Sequence, residues 1–146
     1  MEIIPDKKKL SLLVEKADER SLCLPNFQRD FVWSKDAIAG LIRSILRGYF
    51  LRSLLLLDCD PKSPPFTPVS LREAKPKTAA LRHSQLVLDS QQSLTSLLYA
   101  MYVPDLGLKG SRRPGRFFLD LELLTTNPED DGIDDWLRMF GDSGVW

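Results

Sequence analysis

Gln85-Leu86-Val87-Leu88-Asp89-Ser90-Gln91-Gln92-Ser93-Leu94-Thr95-Ser96-Leu97-Leu98-Tyr99-Ala100-Met101 is the stretch that decides the fold. Its first five residues are a short apolar run closed by an acid, which predicts a buried strand. Leu94, Leu97, Leu98 and Met101 then recur at i, i+3, i+4 and i+7, the period of an amphipathic helix. A strand therefore runs straight into a helix through the junction Asp89-Ser90-Gln91-Gln92-Ser93. The first backbone N–H groups of such a helix lack partners within it and attract anions, so a phosphate can dock there. The plain alternative is that Ser90 caps its own helix while Gln91 and Gln92 face water.

Upstream, Ser34 is a good N-cap, Asp36 falls in the first turn, and Ile38, Leu41, Ile42, Ile45 and Leu46 keep helical spacing up to Gly48. Lys35, Arg43 and Arg47 lie on the opposite face and read as solvated charges. Leu54-Leu55-Leu56-Leu57, ending at Asp58, predicts a second buried strand. Leu10 to Ala17 has a short helical pattern, and Leu22-Cys23-Leu24 is a strand stopped by Pro25. From Asn26 to Trp33 aromatic and polar residues alternate in an extended or looped segment.

Residues 61 to 84 hold five of the ten prolines and no sustained period, which predicts a long loop, either a lid over a site or an excursion. His83, the only histidine, lies at its end without partners at a triad spacing. Residues 104 to 116 read as a Gly/Pro/Arg loop, Phe117 to Leu124 as a strand or strand pair, and Ile133 to Phe140 as a short acidic helix. The architecture expected is α/β (mixed α+β): a small mixed sheet built from strands near residues 22, 54, 86 and 118, flanked by helices at 35 to 47 and 91 to 102.

Composition bounds the function. With 146 residues, 43% of them hydrophobic, the chain has the size and apolar content of one ordinary domain. Twenty basic residues balance twenty acidic ones, so no whole-molecule field advertises nucleic-acid or membrane binding. The balance hides an asymmetry: residues 129 to 146 carry six acids and one base, leaving 19 bases and 14 acids before them. We therefore expect a main domain over 1–128 and an acidic helical tail over 129–146. Cys23 and Cys59 read as buried free thiols, since neither has a cysteine or histidine at metal-ligand spacing; no metal site is expected from the protein alone. With neither a leader-like apolar segment at the start nor a membrane-length run, the expectation is a cytoplasmic protein with no membrane partner.

Three motifs then occur together. Leu88-Asp89-Ser90-Gln91-Gln92-Ser93-Leu94-Thr95-Ser96-Leu97 closely resembles the L-D-G-Q-Q-R-L-T-S-L signature of a large bacterial family. Phe27-Gln28-Arg29-Asp30-Phe31-Val32-Trp33 resembles that family's F-Q-R-x-[FY]-V-W segment, and Ser44-Ile45-Leu46-Arg47-Gly48-Tyr49 its S-I-L-R-G-Y helix ending. The family forms the N-terminal part of GmrSD-type, modification-dependent restriction enzymes and related phage-defence proteins, and is similar in fold to the ParB and sulfiredoxin superfamily. The resemblance covers roughly residues 10 to 124.

What it implies is a domain that binds and often hydrolyses a nucleoside triphosphate, with Mg2+ as its candidate companion ion, commonly fused to an HNH-type nuclease. No metal motif of such a nuclease is present here, so the resemblance implies either a nuclease partner or a piece of a longer protein. Carried over by position, Asp89, Gln91 and Gln92 are the implied catalytic residues. Gln28 and Arg29, with Ser90 and Ser93 of the junction, are the implied nucleotide- and phosphate-binding residues. Arg47, Arg52 and Arg82 are candidate helpers. Arg29 could instead hold the aromatic segment to the core through a salt bridge.

Where the signature has Gly and Arg this chain has Ser90 and Ser93. Glycine allows close approach of backbone to phosphate, and arginine offers a fixed fork of donors. Losing one charge-assisted contact costs about 1.5–3 kcal/mol, so weakened or lost hydrolysis is expected. A naturally decayed site and an introduced double substitution both fit this pattern. Two other functions stay open at this point. One is an interaction module that binds a nuclease subunit or a second copy of itself through exposed Trp33, Tyr49 and Trp136. The other is DNA binding through the basic loop Lys109, Arg112, Arg113 and Arg116, although the pI of about 6.6 is low for that role.

Overall fold

Two helices, each stopped by a left-handed residue, bracket the first strand and set the direction of the sheet. In the computed structural model, which describes residues 4–49, 53–71, 85–102, 108–110, 115–126, 137–141 and 144–145, α1 spans Leu10–Asp18, β1 Leu22–Pro25 and α2 Lys35–Leu46. Beyond α1, Arg20 adopts φ +63°, Ser21 N–H donates to Lys16 O and Arg20 N–H to Ala17 O. Beyond α2, Gly48 adopts φ +74°, Tyr49 N–H donates to Ser44 O and Gly48 N–H to Ile45 O. Both are Schellman closures, which satisfy the last carbonyls of a helix and turn the chain sharply. At the other end of α2, Ser34 Oγ accepts from Ala37 N–H at 3.3 Å, the expected N-cap.

Next come β2 (Leu55–Asp58), β3 (Pro68–Val69), β4 (Gln85–Asp89) and α3 (Gln91–Tyr102). The main sheet has the order β2-β4-β1-β3. Its two central strands, β1 and β4, run parallel, with Leu22 opposite Gln85 and Cys23 opposite Leu86. The outer strands β2 and β3 run antiparallel to their neighbours. The carboxyl ends of β1 and β4 and the start points of β2 and β3 therefore all lie at one end of the sheet. Pro25, expected to stop β1, remains in the strand opposite Pro68 of β3.

The core follows from this order. Val14, Ala17, Leu22, Val87 and Leu98 are fully buried between α1, α3 and the sheet. Each of the valines and leucines among them contributes roughly 1.5–3 kcal/mol of burial. Helix α3 packs against both α1 and α2, and its buried set includes Gln91, Gln92, Thr95, Ser96 and Tyr99 besides the leucines. A helix covered on several sides has no single apolar stripe. Met101, the last member of the expected stripe, is 59% exposed.

A second sheet contradicts two expectations. It consists of β5 (Arg116–Leu119), β6 (Leu137–Gly141) and β7 (Gly144–Val145), all antiparallel. The strand near residue 118 is thus not in the main sheet, and Leu137 to Phe140, expected at the end of an acidic helix from Ile133, belong to a strand. The cause is long-range pairing: Phe117 sits opposite Met139 and Leu119 opposite Leu137, so backbone hydrogen bonding to a partner outweighs local helical spacing. The expected strand also ends early, because Leu121–Thr126 forms α4, a run rich in leucine behind Asp120, a residue type favoured at helix starts. The region 61–84 contributes β3; residues 72–84, with Arg82 and His83, lie outside the described residues, as do Ile133 to Trp136. No helix of the described residues is long and apolar enough to cross a membrane.

Candidate functional site

At the end of the sheet where β1 and β4 stop, three glutamine side chains tie the two sequence motifs together. Gln28 Nε2 donates to Leu88 O at 2.9 Å, Gln91 Nε2 to Arg29 O at 2.8 Å and Gln92 Nε2 to Asp30 O at 3.0 Å. Gln92 Oε1 in turn accepts from Val32 N–H at 3.2 Å, so both ends of that amide are used. Gln91 and Gln92 are only 6% and 8% exposed, which corrects the reading that they face water. Backbone groups of a non-regular segment need partners, and here the side-chain amides of Gln91 and Gln92 supply them to residues 29, 30 and 32, while Gln28 returns one to Leu88 of β4.

This arrangement also answers the salt-bridge alternative for Arg29. The segment is held by amides, Arg29 is exposed, and among the described residues its guanidinium has no carboxylate partner. Further along, Phe31 and Trp33 pack against the buried cluster of Ile38, Tyr99 and Leu108. Trp33 is therefore half-buried rather than an exposed aromatic. Tyr99 anchors the cluster: its hydroxyl oxygen accepts from Gly115 N–H at 2.8 Å, while burial pushes its pKa up against the smaller opposing effect of that bond.

The junction itself is strained. Ser90 adopts φ +64°, the left-handed region that costs an ordinary L-residue about 1–2 kcal/mol. The position demands what glycine gives freely, so a Gly here in the family signature has a backbone reason. Two bonds hold the serine in place: its N–H donates to Asp89 Oδ1 at 2.6 Å and its hydroxyl donates to Ser53 O at 3.0 Å. The hydroxyl thus reaches across to the start of β2 rather than capping α3. Asp89 is exposed and Ser93 half-buried in the first turn of the helix.

One end of the sheet therefore gathers Gln28, Arg29, Asp89, Ser90, Gln91 and Gln92. Nothing in the sequence pointed to Ser53 as a partner of the junction; that contact depends on the antiparallel pairing of β2 with β4. Arg47 is exposed at the end of α2, and Arg52 lies outside the described residues, as do Arg112, Arg113 and Trp136. The two cysteines differ: Cys23 is buried and Cys59 half-buried. Burial above all, with Cys59 nearby, pushes the Cys23 thiol up to about 12.

Comparison with known proteins gives this geometry a family. The model of the GmrSD restriction endonuclease N-terminal domain matches residues 10–141. The chain belongs to that family. It is also 40% identical over 136 residues to an uncharacterized protein of Methanocaldococcus jannaschii. That match covers 91% of this chain but 23% of the relative, so the chain spans about a quarter of the relative's length. No solved structure matches. As a GmrSD N-terminal domain, the chain carries its Gln28-Arg29 and Asp89-to-Ser93 motifs side by side at one end of a mixed sheet.

Proposed function

We propose that this GmrSD N-terminal domain binds a nucleoside triphosphate at the carboxyl ends of β1 and β4, as the nucleotide-binding part of a restriction or phage-defence system. The observation that carries the reading is the set of hydrogen bonds donated by the side-chain amides of Gln28, Gln91 and Gln92, of which the Gln91 bond to Arg29 O fixes the backbone of Arg29 against the first residue of α3. An exposed guanidinium and the start of a twelve-residue helix then share one edge of the molecule. Ligands of open α/β sheets commonly sit in this position, outside the carboxyl ends of parallel strands.

In this reading Arg29 and the first amides of α3 hold phosphate oxygens, while Gln28, Gln91 and Gln92 keep those donors in place. Asp89 and Asp30 are both exposed at this end. Two carboxylates repel a bare polyphosphate, but they suit a phosphate-bound Mg2+, which takes one or two carboxylates and keeps several waters. Among the described residues no group of three acidic, histidine or cysteine side chains forms a metal cage. Bound Mg2+ would supply charge neutralisation on the phosphates. Without the arginine that the signature places at Ser93, hydrolysis is slow or lost.

Calorimetric titration with the four triphosphates, with and without Mg2+, tests this. Saturable binding that weakens at least tenfold in Arg29→Ala is expected, and hydrolysis should rise when Ser90→Gly and Ser93→Arg are combined. No binding to either protein would overturn the reading. A second reading, DNA contact through the basic turn, has one observation in its favour: Lys109 N–H donates to Trp33 O at 3.2 Å, which joins that turn to the end of the same segment. Affinity for duplex DNA that falls steeply with salt would support it.

A further inference from the structure

We infer that Phe27 and Phe66 form a platform for the base of the bound nucleotide, a subsite that rests on the phosphate site proposed above. The two rings meet edge to face, with centroids 5.0 Å apart and planes at 81°. Phe27 is 61% exposed and Phe66 38% exposed, an unusual state for two large apolar rings in contact. Neither is left on the surface by a floppy loop.

Phe27 sits in the turn after β1, where Gln28 N–H donates to Pro25 O at 3.1 Å and Asn26 N–H to Thr67 O at 3.0 Å. Its neighbour Gln28 is fixed to Leu88 O, and Phe66 lies between Pro65 and Thr67 just before β3. Prolines at 64, 65 and 68 restrict the backbone on both sides of Phe66. Both rings are thus set before any ligand arrives, which lowers the ordering cost of binding.

Topology puts this pair at the right end of the sheet. The turn after β1 and the approach to β3 stand over the same edge as the start of α3, which follows β4, the neighbour of β1. Strands are spaced ~4.8 Å apart, and β1 and β3, which carry the two rings at their ends, are the first and second neighbours of β4 on that side, so the platform and the start of α3 share that end of the sheet. A two-ring patch matches one planar base and is too small for a protein interface. Stacking on an aromatic ring tolerates every base, so the platform adds affinity with little choice among the four.

The test compares nucleoside triphosphates with inorganic tripolyphosphate on the intact chain. Phe27→Ala and Phe66→Ala should each weaken triphosphate binding about thirtyfold, the middle of the stacking range, and leave tripolyphosphate binding unchanged. Phe27→Trp should keep affinity, and its indole fluorescence should be quenched by a triphosphate but not by tripolyphosphate. If triphosphate and tripolyphosphate bind the native chain equally, and Phe27→Ala changes neither, the platform is wrong and the phosphate site stands. If neither ligand binds, the phosphate site fails and the platform with it. Circular dichroism of each variant confirms that the fold is retained, as expected for exposed side chains.

Discussion

At Gln92 one side chain spends both ends of its amide on the backbone of another segment, accepting from Val32 N–H and donating to Asp30 O. Gln92→Leu keeps the volume but leaves a donor and an acceptor unpaired in a partly buried setting, at about 1–3 kcal/mol each. Urea unfolding should show a loss of about 2–6 kcal/mol. Gln92→Glu keeps the acceptor for Val32 N–H but sets a carboxylate oxygen against the Asp30 carbonyl at a buried position, so it should cost at least as much as Gln92→Leu at neutral pH. A full-strength fold in Gln92→Leu would mean that the segment is held by other contacts. Cys23 offers a second test at this scale. Its folded pKa is raised to about 12, so above the ordinary thiol value of ~8.5 the unfolded chain releases a proton that the folded chain retains. Cys23 should therefore contribute no pH dependence below about pH 8 and a falling stability between about pH 9 and 12. Denaturation midpoints across that range should decline more steeply in the native chain than in Cys23→Ala.

At the scale of elements, the β4–α3 junction joins a strained residue to two neighbours. In Ser90→Gly, relief of about 1–2 kcal/mol of left-handed strain is set against a lost hydrogen bond of roughly 1 kcal/mol and the entropy of glycine, roughly 0.5–1 kcal/mol. Stability should stay within about 1 kcal/mol of the native chain. Ser90→Val loses the bond to Ser53 O and forces a β-branched residue into the same region, so it should cost about 2–3 kcal/mol in thermal or urea unfolding. Equal stabilities for the two variants would contradict the positive φ. The junction was legible in the sequence because an apolar run closed by Asp89 and a helical period from Leu94 are local signals. So were the caps at Ser34 and Gly48. What was not legible depends on distant partners. Leu137 and Phe140 have spacing that suits a helix, and only the pairing of β6 with β5 makes them a strand. The burial of Gln91 and Gln92 was equally hidden, because glutamine ordinarily faces water and only the neighbouring segment of 28–32 turns it inward.

For the whole molecule, the decisive feature is that parallel strands β1 and β4 deliver both motifs to the same end of one sheet. The resemblance in the sequence had paired those motifs by function; the fold pairs them in space through Gln28, Gln91 and Gln92. At the opposite end of the sheet a different polar set closes the structure: Gln85 Nε2 donates to Asp58 Oδ1 at 2.6 Å, and Lys16 Nζ donates to Gln85 Oε1 at 3.4 Å. These two ends make the account testable in a single spectrum series. Backbone amide shifts should be followed by NMR while a nucleoside triphosphate with Mg2+ is titrated into the native chain. The account predicts saturable shifts concentrated at Asn26 to Arg29 and Ser90 to Ser93, with Lys16, Asp58 and Gln85 unmoved. Shifts centred on Lys16, Asp58 and Gln85, or none anywhere, would contradict it.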